Sequence, residues 1–146
     1  MSFGECLKKR LLIRIEPQID LSEKEFSSAG KDLERAKHTI EIDRDFKWTI
    51  VQAYYSMFHA VKAVLYLIGL RERSHGCVAE ALEKLSEKGL IESSVVEELK
   101  SCMESREDAD YRSEYSEEDA ERSVEIAEEF INKMRKLAKK VKPNEI

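Results

Sequence analysis

Arg106, Asp110 and Tyr111 lie within the stretch Ser105-Arg-Glu-Asp-Ala-Asp-Tyr-Arg-Ser-Glu-Tyr-Ser-Glu-Glu-Asp-Ala120, and Tyr115 follows in the same segment. A guanidinium holds carboxylates and phosphates through paired donors, and a tyrosine adds a hydroxyl and a stacking face. The group therefore suits the binding of a phosphate, a nucleotide or an acidic partner. It does not suit proton transfer at neutral pH, because a phenol with a pKa of about 10 is a donor and a poor base, whereas histidine at about 6.5 can serve. The histidines, His38, His59 and His75, all precede Arg106. A purely structural role competes: Arg106 pairs with Asp110 one turn later, the tyrosines pack as a hinge, and Ser116 caps the next helix. Arginine ahead of its acid is the weaker order, contributing only tenths of a kcal/mol. If the segment is helical, Arg106 and Tyr111 diverge by about 140°, so their meeting requires a bend or a two-fold axis.

Other chemistry is sparse. Cys6, Cys77 and Cys102 are odd in number, widely spaced and without a Cys-x-x-Cys pair, which predicts reduced thiols with neither a disulfide nor a zinc site. A phosphate-cradling glycine loop and a His-Glu-x-x-His motif are both missing, so no metal and no cofactor are expected.

Helices must position these residues. Of 146 residues, 42% are apolar and 38% charged, with five glycines and two prolines. That predicts a single all-α domain over residues 1–146, large enough for a real core. Val95, Leu99 and Cys102 form the buried stripe of a helix starting near Ser93 or Ser94, and one further turn lands on Arg106, so the arginine projects from the packed face. The helix from about Asp45 to Leu70 carries two adjacent apolar stripes, one with Ile50, Tyr54, Met57 and Val61, the other with Val51, Tyr55 and Phe58. It is central, and its remaining polar strip is Gln52, Ser56 and His59. Ser22 to Glu25 reads as a capping box opening a helix with the stripe Phe26, Ala29, Leu33, Ala36 and Ile40, and His38 falls on its solvent side. Leu7, Leu11 and Leu12 predict an N-terminal helix interrupted by Pro17. Arg71 to Gly76 reads as a polar loop ahead of a short helix, Val78 to Lys88, ended by Gly89. Ser116 caps a last helix with Ala120, Val124, Ala127, Ile131, Met134, Ala138 and Val141 in register. Val124, Ile131, Met134 and the polar strip of the central helix offer more packing surface than a four-helix core consumes, which predicts a dimer.

The net charge of -5 argues against a broad nucleic-acid surface. The C-terminal run of Lys133, Arg135, Lys136, Lys139, Lys140 and Lys142 complements a helix end. His59 and Lys62 interrupt the longest apolar stretch and no signal-peptide pattern opens the chain, so a cytoplasmic protein is expected, with no membrane association. Glu and Lys dominate while Asn and Gln total four, a bias shared by heat-adapted and helix-rich proteins.

Ala53-Tyr-Tyr-Ser-Met-Phe-His-Ala-Val-Lys-Ala-Val-Leu65 on the central helix, the segment Ser74-His-Gly76 and the later Arg106-Glu-Asp-Ala-Asp-Tyr111 together resemble the HEPN family, from about Glu25 to Val141. The resemblance implies an up-and-down antiparallel bundle of four to five long helices plus a short one, usually a homodimer. It also implies a site built on arginine followed, after four to six residues, by histidine. In nuclease members those motifs meet across the dimer and cut RNA without metal. Many members pair with a minimal nucleotidyltransferase as toxin and antitoxin. Here Arg106 matches the arginine, but Tyr111 stands where histidine is expected. Where the nucleotidyltransferase adenylylates its partner, a tyrosine stands two residues beyond the histidine; that position is Ser113, with Tyr111 and Tyr115 as substitutes. The expected function is thus a partner or nucleotide-binding protein with a degenerate ribonuclease motif. The alternatives are a metal-independent ribonuclease using Arg106 with a displaced histidine, His75 or His59, and a non-catalytic scaffold.

Overall fold

The computed structural model describes residues 1–146. Six α-helices, α1 (Phe3–Lys8), α2 (Ile19–His38), α3 (Phe46–Ile68), α4 (His75–Glu87), α5 (Ser93–Tyr111) and α6 (Glu117–Ala138), are joined by a two-stranded ribbon of β1 (Leu12–Arg14) and β2 (Leu70–Glu72). The protein is an all-α bundle. α3 is its axis and packs on α2, α6 and α5. Asp45 caps its start, accepting from the Trp48 amide at 3.1 Å. Gly69 ends it at φ +95, where a Cβ would stand 2.6 Å from the Ile15 carbonyl oxygen, so only glycine lets the two segments approach.

Three local expectations are corrected. The N-terminal helix stops at Lys8, Arg10 turns in the left-handed region, and Leu12 to Arg14 pair antiparallel with Leu70 to Glu72. Leucines near one end of a chain cannot announce a strand whose partner lies sixty residues away. The same pairing turns the start of the expected polar loop into β2, while Ser74 caps α4 so that His75 and Gly76 are helical. The Ser22 capping box does not form: α2 begins earlier, at Ile19, because the Gln18 amide is fixed on the Tyr66 carbonyl at 2.9 Å, and Ser22 is buried inside the helix.

The thiol expectation is also overturned. Cys6 and Cys77 form a disulfide across 71 residues, joining α1 to the first turn of α4. Spacing along the chain carries no signal of this pair because the fold alone brings α1 to α4. Cys102 is free and buried, and burial pushes its thiol up to about 11.

The stripes of α2, α3 and α5 fall as expected. On α6, Phe130 and Leu137 join the core although they lie off the expected register, and Ile131 and Met134 are buried within the same chain. Those two side chains are therefore not spare surface for a second copy. No helix is long and apolar enough to cross a membrane.

Candidate functional site

The α5 stripe does carry Arg106 to the packed face, against α3. Its Nη2 donates to the Tyr55 hydroxyl at 3.0 Å and lies 3.3 Å from Asp110 Oδ2. Its guanidinium carbon is 5.5 Å from the Tyr55 ring centroid and 5.2 Å from that of Tyr111. No bend and no second copy is needed for this convergence. α5 stays helical to Tyr111, and the long arginine arm reaches across the end of the helix to the ring. Nε is buried without a hydrogen-bond partner. The fork is thus partly unused, and a carboxylate and two phenol oxygens around it keep the guanidinium charged against the opposing effect of burial.

His75, in the first turn of α4, comes to the same face. It stacks on Phe58 with centroids 4.1 Å apart, and its Nδ1 is 2.9 Å from the Tyr54 hydroxyl. Burial raises the Tyr54 phenol well above its ordinary range, so Tyr54 keeps its proton. His75 Nδ1 shares a hydrogen bond with that hydroxyl, and the hydroxyl donates when Nδ1 carries no proton. Burial and the nearby Arg106 charge both lower the His75 pKa, which favours the neutral imidazole.

Arg106, Asp110, Tyr111 and His75 are therefore brought to one aromatic-lined face. Tyr115 is not: it lies in the turn before α6, exposed, with no hydrogen bond or ring contact to the group. His59 sits one turn beyond Tyr55 in a separate cluster. Its Nδ1 is 2.5 Å from Glu25 Oε2 and its Nε2 3.4 Å from Asp32, while Lys62 bridges Glu25 at 3.4 Å and Glu72 at 3.1 Å. Tyr54 and Tyr55, read from periodicity only as stripe residues, hold the site together. The available signal was chemical, since a buried tyrosine hydroxyl needs a partner. No group of His, Cys, Asp and Glu side chains is arranged to hold a metal ion.

The HEPN domain pattern matches residues 22–137, which include every helix that builds this face. The chain belongs to the HEPN family. Over 64 residues it is 44% identical to UPF0332 protein PH1297 of Pyrococcus horikoshii. That stretch covers 44% of this chain and 39% of the relative, well short of the relative's whole length.

Proposed function

We propose that this HEPN protein is a binding partner whose ribonuclease motif is degenerate, acting with a minimal nucleotidyltransferase in a toxin-antitoxin-like system. Arg106 holds a phosphate of a nucleotide or RNA, or an acidic loop of the partner. The observation that carries this reading is the occupant of the position facing Arg106. Tyr111 lies beside the guanidinium and offers a stacking face, and a phenol is by its chemistry a poor general base where the family's nucleases carry histidine. His75 supports the same role, because its imidazole lies on the Tyr54 and Tyr55 rings beside Arg106 and can hydrogen-bond a ligand there. The working form in this reading is a cytoplasmic homodimer. Its disulfide is compatible with that compartment in a heat-adapted organism, where intracellular disulfides are common.

One observation favours a second reading, a metal-independent ribonuclease: His75 and Arg106 both rest on the Tyr54 and Tyr55 rings. Labelled RNA separates the two. The natural protein should bind RNA or nucleotide without cutting it, Arg106→Ala should reduce that binding by roughly tenfold, about 1.4 kcal/mol, and Tyr111→His should introduce cleavage that vanishes in the double variant with Arg106→Ala. Cleavage by the natural protein that requires both Arg106 and His75 would replace the first reading with the second.

A further inference from the structure

At the far end of α5, about 20 Å from Arg106 at the helical rise, the turn after α4 and the first turn of α5 meet the last turns of α6 around a hollow of about 390 Å³. Its floor is apolar, with Val95 and Leu137 buried and Leu90 and Ile91 half-buried beside them. Over that floor stand Lys133 and Lys136, one turn apart on α6, and Lys140 in the turn just past its end. Lys133 is engaged with Glu98 at 3.3 Å, whereas Lys136 and Lys140 form no ion pair. Glu92 is the single acid in the lining. In a chain of net charge -5, this is a local concentration of positive charge. α5 also starts here without a side-chain cap, so its first amides add positive potential on the same side.

Complementing the α6 macrodipole accounts for cations at a helix end, but it does not require an apolar hollow beneath them. Lys139 and Arg135, which would serve the dipole equally, stand outside the lining. The volume lies in the range of small-molecule sites, where an apolar floor with a few convergent polar groups is the usual construction.

We propose that this hollow binds a compact amphipathic anion, with its apolar body against the half-buried Leu90 and Ile91 above Val95 and Leu137, and its carboxylate or phosphate head on Lys136 and Lys140. The site is separate from the Arg106 face and does not depend on the function assigned there.

The test is a titration of the isotope-labelled full chain, followed by amide NMR shifts, with octanoate and octyl phosphate as the two anionic heads on one body. Acetate and inorganic phosphate supply heads without a body, and octylammonium supplies the body with the opposite charge. Octanoate or octyl phosphate should shift the amides of Leu90, Ile91, Val95 and Leu137 saturably, and the tighter of the two identifies the head. The double variant Lys136→Glu, Lys140→Glu should weaken that binding by roughly tenfold or more. Both lysines are exposed, so its denaturation midpoint should stay near that of the natural protein. Equal binding of acetate or inorganic phosphate would reduce the site to a charge patch and overturn the proposal. So would equal binding of octylammonium, undiminished binding to the double variant, or no saturable shift at these amides.

Discussion

Two polar groups lie one turn apart on α3, and they are built in opposite ways. In the group around His59, every charge is answered: both ring nitrogens face carboxylates, and Lys62 bridges Glu25 to Glu72. Burial alone would raise Glu25, yet the His59 hydrogen bond and the Lys62 charge outweigh it and hold the carboxyl below its ordinary value. Burial would likewise lower Lys62, and its bond to Glu72 and the charge of Glu25 reverse that. In the group around Arg106, Nε is buried without a partner, and Tyr111 and His75 are exposed. A closed network fixes α2 and β2 to α3, whereas the open one is the group to which the proposed function assigns ligand binding. Phe58 stands between them, stacked on His75 and 5.7 Å from Lys62.

Removing that shared wall should have the largest effect. Phe58→Ala should cost about 3–5 kcal/mol in denaturant unfolding, because the ring is buried on the central helix and its loss leaves a cavity. It should also release His75 and weaken ligand binding at Arg106. A cost below about 1 kcal/mol, far under that range, would mean that neither group depends on this wall.

Breaking the closed network should come next. Lys62→Met keeps the side chain's bulk but leaves Glu25 and Glu72 without their shared cation, at a cost of about 1–3 kcal/mol, toward the lower end because solvent partly reaches these groups. Nucleotide or RNA binding at Arg106 should stay within a factor of about two, less than 0.5 kcal/mol. A loss of binding larger than the loss of stability would show that the two groups act as one site, and the distinction between closed and open would fail.

The two groups also differ in how far the sequence announced them. Arg106 was legible because helical periodicity is local: three buried side chains at regular spacing point to the fourth, and α5 keeps that register to its end. His75 was harder to place. Its segment reads as a loop, and its helical position follows from the Ser74 cap, the β1–β2 pairing and the disulfide at Cys77, two of which depend on chain more than fifty residues away. Glu25 looked like half of a capping box because Ser22 precedes it at the right spacing; in the folded chain it serves His59 and Lys62 instead. Periodicity gives the face of a helix, and only the assembled bundle gives the neighbour on that face. For the same reason, Phe130 and Leu137 escaped the expected α6 stripe, since α6 meets several neighbours and not one seam.

The smallest effect separates the groups by pH. His75 is held below its ordinary value of 6.5 by burial and Arg106, so the unfolded chain binds more protons there than the folded one. Stability from this residue is therefore full above about 6.5 and is lost as pH falls through the folded value, with a slope of less than one proton. Glu25, held below 4.5, behaves in the same direction at more acid pH: its contribution is present above that value and lost beneath it. Lys62, raised above 10.5, acts at the other limit, stabilising below that pH and ceasing to do so as pH rises through its folded value. Asparagine at position 75 can still accept the Tyr54 hydroxyl, so His75→Asn should flatten the step just below neutrality while leaving both outer limits in place. Denaturant midpoints across the pH range measure all three. If the step near neutrality survives in His75→Asn, it does not come from His75, and the pH distinction between the two groups fails.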